Sequence, residues 1–368
     1  MKKFISIFLI LTLLILPAGC TSKKELSKVD KKRLEERKQD YKDAQNLIKL
    51  YMELVMQGKR DEARKYIAPS SNKKDIKTEF PLKPLGYSIN RIEKIGNKLI
   101  ASVKLSQGVK GKAYYTIDIA DYTIGKKSDG DMVIENIQVK SNLVFFEAMV
   151  QGEKSLLLRE DTHTEAIPVL KAFELPDYIA NDIAFQPLKK VRINREKYGS
   201  AAISNDGKKM ILCSVDGKNT IALAVERVVR AFNSKDKKVA EAAGTGGGGG
   251  TEKEEGASSG EAQRVDVVPL DYFEGATVEY VTFSPSGDCI YIQTRKGDKV
   301  GLSLYSTYSL KILSPKLMEK FNSPEYNIIN AYFNNEDTLL VSAKNLKENK
   351  VENYILDIKN DVARKQGR

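Results

Sequence analysis

Phe283-Ser284-Pro285-Ser286-Gly287-Asp288-Cys289-Ile290-Tyr291-Ile292 is the stretch on which the fold turns. An apolar run enters it, a turn of Ser, Pro, Gly and Asp reverses it, and a run of β-branched and aromatic residues leaves it. Eighty positions earlier, Ile203-Ser204-Asn205-Asp206-Gly207-Lys208-Lys209-Met210-Ile211-Leu212 repeats that order. Gly217 then matches Gly297, and Ala222 and Ala224 match Leu302 and Leu304. A third copy opens at Phe333-Asn334-Asn335-Glu336-Asp337 and runs, one residue shorter, into Leu339-Leu340-Val341. Each copy reads as strand, tight turn, strand, Gly or polar turn, strand.

The F-S-P-S-G-D segment and its flanking strands resemble the blades of TolB-like and WD-repeat β-propellers. The signature His and terminal Trp-Asp of the WD class are missing, so the TolB type is nearer. The resemblance implies a propeller-like β domain over 143–368. Blades run about 40–45 residues. With a loop at 232–264 set aside, the length from Glu153 to Arg368 suits about four of them, the lower limit for a closed propeller. An incomplete ring, or one sealed by the preceding domain, fits the same length. The loop contains Gly244-Thr245-Gly246 through Gly250, then a charged run and Ser258-Ser259-Gly260. It reads as a disordered low-complexity insertion. Gly244, Gly246 and Gly249 formally satisfy G-x-G-x-x-G, but no amphipathic helix follows and no Gly-Lys-[Ser/Thr] is present, so neither a dinucleotide site nor a phosphate loop is expected.

Upstream, over 39–142, the period changes from helical to alternating. Ala44, Leu47, Ile48, Tyr51, Leu54 and Val55 recur at helical spacing and stop at Gly58; Asp61 to Ile67 suits a second, short helix. Leu99–Leu105, Tyr115–Ile119 and Val133–Val139 then alternate, separated by Gly96-Asn97, Gly108 to Gly111 and Ser128-Asp129-Gly130-Asp131. Helices followed by an antiparallel meander make an α+β domain. This order, with the A-x-K-Y-x near Ala63–Ile67, resembles the cone-shaped fold of the nuclear-transport-factor-2 superfamily. The expected fold class is therefore mostly β, with an α+β helix-plus-meander domain at the N-terminal side.

The N-terminus reads as an address. Lys2 and Lys3 precede an apolar run from Phe4 to Leu16, then Pro17-Ala18-Gly19-Cys20. This describes a signal peptide, too short to span a bilayer as a mature helix. Leu16–Cys20 resembles the lipobox of bacterial lipoproteins, which implies cleavage after residue 19 and lipidation of Cys20. Residues 20–38 read as a charged stalk. The formal charge of +11 becomes +9 once Lys2 and Lys3 are removed. Its lysines are spread along the chain without an Arg-rich stripe, which favours an anionic membrane face over nucleic acid.

Catalytic signals are scarce. His163 is the single histidine, and neither a nucleophile elbow nor a metal-ligand cluster surrounds it. Asp129, Asp131, Asp206 and Asp288 flank turns without a calcium-loop ladder. Cys213 and Cys289 lie in apolar strands and are expected as buried thiols. The function expected is that of a lipid-anchored extracytoplasmic binding or scaffold protein, non-enzymatic, without cofactor or metal. Asn205, Asp206 and Gly207, with Pro285, Ser286, Gly287 and Asp288, are its candidate contact residues toward an envelope protein or small ligand. Two other readings stay open: an envelope hydrolase or lyase using Asp118, Tyr115 and Glu135 (with Tyr114 and Asp121) in the cone, and a structural spacer.

Overall fold

A computed structural model of the chain describes residues 28–69, 82–160, 165–181, 189–226, 266–335 and 337–367. Cys20 and its lipobox-like surroundings, His163 and the insertion at 232–264 lie outside the described residues. The chain divides into two compact units, Met1–Asp43 and Ala44–Arg368. In the first, residues 28–43 belong to helix α1 (Lys28–Met56). Its exposed pairs include Lys38–Glu35 at 2.9 Å and Lys32–Glu36 at 4.0 Å, one helical turn apart and worth a few tenths of a kcal/mol each.

In the second unit α1 buries Ala44, Leu47, Ile48, Tyr51, Met52 and Met56. It ends before Gly58, whose φ of 75° suits a residue without Cβ. The short α2 (Arg60–Arg64) follows. Strands β1 (Lys83–Ile95), β2 (Lys98–Gly108), β3 (Tyr114–Lys126) and β4 (Met132–Val150) form the antiparallel meander. Helix and meander meet at Tyr51 and Tyr122, whose rings lie edge to face with centroids 5.7 Å apart. Tyr122 also donates to Met52 Sδ at 3.7 Å. The sequence expectation ends this domain at 142, but that position falls inside β4. No Gly or Pro interrupts Met132–Gln151; the chain first reverses at Gly152, where φ is 84°. Strands β5 (Glu153–Glu160) and β6 (Ile167–Lys171) continue the same sheet.

The hairpin β7 (Tyr178–Asn181) and β8 (Lys189–Arg192) leads into the repeat. The first blade is β9 (Tyr198–Ile203), β10 (Lys209–Asp216), β11 (Asn219–Glu226) and β12 (Asp266–Phe273). The second is β13 (Thr277–Phe283), β14 (Cys289–Lys296) and β15 (Lys299–Ser306), followed by helix α3 (Pro315–Asn322) with Pro at its start. The third is β16 (Tyr326–Phe333), β17 (Leu339–Asn345), β18 (Lys350–Asp357) and β19 (Val362–Lys365). In each blade the first two strands carry a register shift at the same repeat position, between Leu212 and Ser214, Val278 and Tyr280, and Ile328 and Asn330.

The second blade sheet buries both faces. Ile290 and Ile292 of β14 pack with Leu212, Cys213, Leu223, Phe283, Tyr115 and Phe145. The alternate residues Cys289 and Tyr291 pack with Leu302, Phe321, Phe333, Val341 and Tyr354. Alternation along one strand thus feeds two cores. Cys213 and Cys289 are both free and buried, one in each core. The third blade joins the meander through one parallel bridge, Gly86 to Phe333, giving a ten-stranded sheet ordered β19-β18-β17-β16-β1-β2-β3-β4-β5-β6. A Cβ on Gly86 would lie 3.2 Å from Phe333 Cβ, so the glycine permits this approach.

Candidate functional site

The repeat turns land together at one end of the blades. Ser204 N–H donates to Lys209 O at 2.8 Å and Gly207 N–H to Ser204 O at 2.9 Å; Ser284 with Cys289, and Gly287 with Ser284, repeat this at 2.8 and 2.9 Å. Gly207 and Gly287 carry φ of 72° and 83°. The third turn, one residue shorter, places Asp337 at a φ of 55°. The turns are then strung to one another. Asn205 Nδ2 donates to Pro285 O at 2.8 Å, and Ser286 N–H donates to Asp337 Oδ1 at 2.7 Å. Ile89 N–H of β1 donates to Asn335 Oδ1. Lys104 of β2, opposite Ser88 in the ladder, lies in the field of Asp206. Hydrogen bonds therefore link the three turns to one another and to β1, with Lys104 of the adjacent β2 on the side of the first turn.

Of the expected contact residues, Asp206, Ser286 and Asp288 are exposed and Gly207 is buried, while Asn205, Pro285 and Gly287 are half-buried. Asp206 holds its own turn, accepting from Ser204 Oγ at 2.6 Å and Lys208 N–H at 3.2 Å. Burial pushes the Asp206 carboxyl up, but these donors and the Lys208 charge outweigh it and hold it below its ordinary value. Asp288 accepts from the Tyr308 hydroxyl at 2.9 Å, and its carbonyl accepts from Thr307 N–H at 3.0 Å. Tyr308 is 77% exposed. Lys209 Nζ lies 4.7 Å from its ring centroid and donates to Thr307 O at 3.1 Å.

Beside these residues, between the first and second blades, lies a cavity of about 170 Å³. Its apolar lining includes Met210, Ala224, Val225, Phe283, Ile290 and Leu310; its polar lining is Lys209, Glu226, Asp266, Thr307 and Tyr308. Sequence reading reached the turns but missed Tyr308, Thr307, Glu226 and Asp266. Glu226 and Asp266 stand opposite each other in register across β11 and β12, although the whole insertion separates them along the chain.

A second polar cluster surrounds Glu279, which is 3% exposed. Lys110 Nζ pairs with it at 2.7 Å, Gln293 Nε2 donates to it at 2.8 Å, and Arg295 Nε donates as well. Its backbone carbonyl accepts from Gly111 N–H at 2.8 Å. Burial raises the carboxyl's pKa, but Lys110, Arg295 and Gln293 together bring it below the ordinary value. Nearby, burial brings Lys83 down to about 8 against the pull of Glu279. Every oxygen of Glu279 is engaged, so the cluster reads as a clasp between the β2–β3 loop and the second blade.

The residues expected for cone chemistry are not brought together. Tyr115 joins the blade core and its hydroxyl meets Thr282 Oγ1 at 2.7 Å. Asp118 alternates to the other sheet face, where Gln107 Nε2 donates to it at 2.7 Å and Asn142 Nδ2 donates too. Tyr114 stacks obliquely on Phe146 at 6.4 Å, and Asp121 faces Lys140 at 3.6 Å. Glu135 pairs with Lys98 beside Gly125, ten residues along β3 from Tyr115, or about 33 Å at strand rise. Among the described residues no group of three or more His, Cys, Asp or Glu could hold a metal ion.

No family model matches the chain, and no curated protein matches it. Solved structures similar to it include TolB from Acinetobacter baumannii, at 8% identity and a TM-score of 0.32, covering 77% of this chain and 68% of that one. Prolyl oligopeptidase B from Galerina marginata is similar at 14% identity and a TM-score of 0.33, over 76% of this chain and 35% of the peptidase. Oligopeptidase B from Leishmania major is similar at 10% identity and a TM-score of 0.30, over 77% and 33%. The chain thus spans about a third of either peptidase. TM-scores near 0.3 do not establish a common fold.

Proposed function

We propose that this chain is a lipid-anchored binding protein on the extracytoplasmic face of a bacterial cell membrane, and that it presents the turn end of its blades to a protein or small ligand without catalysing a reaction. The observation that carries the reading is the turn end itself. Three tethered turns and the β1–β2 ladder frame an exposed Tyr308 and a cavity between two blades. An end whose turns are tethered to one another has less to order on binding. The lipobox-like Leu16–Cys20 supports the anchor, and no described helix is long and apolar enough to cross a membrane. Two acyl chains or more would hold the protein stably, where one would not.

The full chain grown with labelled palmitate tests the anchor. We expect label on the wild type, which stays in the membrane pellet at high salt, and none on Cys20→Ser. Equal labelling of both forms would remove the anchor from the account. The contact surface is tested by recovery from envelope extract. A species retained by wild type and lost with Tyr308→Ala supports it; retention unchanged by that substitution contradicts it.

A further inference from the structure

We infer that the cavity between the first and second blades takes an alkylammonium group: a positively charged amine on a short apolar stem. Three observations converge there. Glu226 and Asp266 are exposed cavity residues directly opposite each other on neighbouring strands, and no ion pair among the described residues involves either. Like charges in register destabilise a ladder, and a bound cation removes that cost. Asp288, outside the lining but accepting from the hydroxyl of the lining Tyr308, adds a third carboxylate nearby. Lys209 is the one cation in the lining, and its ammonium is already engaged by Thr307 O and the Tyr308 ring. The local balance is therefore negative on a chain whose formal charge is +11.

The second observation is Thr307. It lines the cavity at 4% exposure, and its Oγ1 has no hydrogen-bond partner. A buried hydroxyl oxygen left unpaired is unfavourable, and an ammonium N–H arriving in the cavity would satisfy it. The third is size and lining. About 170 Å³ is close to the roughly 150 Å³ of an apolar cavity that takes benzene. Val225, Phe283, Ile290 and Leu310 offer a floor for a stem of about four or five carbons. A lysine side chain of a partner protein and a free primary amine share this chemistry.

This inference rests on the turn end being a contact surface, and the two fail separately. The full chain in detergent is titrated by calorimetry with n-pentylammonium, n-pentanol and pentanoate, and with a capped tripeptide carrying a central lysine. We expect pentylammonium or the tripeptide to saturate one site per chain, about tenfold more tightly than pentanol, with pentanoate weakest. The Glu226→Gln, Asp266→Asn double variant should lose about tenfold of that affinity while its melting temperature holds or rises, since a like-charge pair has gone. Thr307→Val should lose about fivefold. Binding of the tripeptide alone assigns the site to a partner's lysine; binding of free pentylammonium as well assigns it to small amines. Pentanol or pentanoate binding as tightly as both cations, or an unchanged double variant, overturns the inference. An envelope partner still recovered by wild type but not by Tyr308→Ala would then leave the contact surface standing without this ligand class.

Discussion

Glu279 shows how one residue can be re-aimed by a strand irregularity. It is the extra residue at the register shift of β13, and the equivalent repeat positions hold Gly199 and Ile329. A bulge turns its side chain off the regular alternation, here toward Lys110, Gln293 and Arg295. Both cations are more than a third exposed, so water screens part of the attraction, and Glu279→Gln should cost about 1–2 kcal/mol at neutral pH. The folded carboxyl lies below its ordinary 4.5. Its contribution is therefore complete above that value and disappears as pH falls through the lowered folded pKa. Thermal melts of wild type and Glu279→Gln should differ at pH 7 and converge in acid. A gap that stays constant down to pH 3 would show that the charge does not act as described.

At the scale of elements, the junction between blades and meander depends on a glycine. Gly86 of β1 passes Phe333 of β16 so closely that a Cβ would meet it at 3.2 Å. Gly86→Val should destabilise the protein by about 1–3 kcal/mol through overpacking, read as a lower urea midpoint. An unchanged midpoint would mean that β1 and β16 do not need this approach. The three turns of the repeat were legible in the sequence because their chemistry is local: Gly207 and Gly287 supply positive φ, and Ser204 and Ser284 close their own turns. The helix-then-meander order was legible for the same reason, through periodicity. Strand β1 was not, since Lys83–Ile95 mixes buried and exposed residues without strict alternation. Nor was the continuation of β4 through position 142, where only the absence of a Gly or Pro carries the signal. The cavity was invisible because Glu226, Asp266 and Thr307 come from segments that only the folded sheets bring together.

The whole molecule, from Ala44 on, is a compact unit of stacked sheets in which the meander takes a place beside three repeat blades. Its two cores bury both faces of the middle blade, so the turns at the end of that blade rest on a packed support. The turns of that blade stand beside a small cavity with an acidic pair in its lining, while Asp118 and Glu135 stand on different faces of their sheet, both with partners. The most direct test places a photoreactive side chain at Tyr308 in the full chain in cells, with the same group at the exposed Val351 of the third blade as control. The account predicts one discrete adduct of defined mass from position 308 upon illumination, protein or small molecule, and none from 351. The same adducts from both positions, or none from 308, would contradict it.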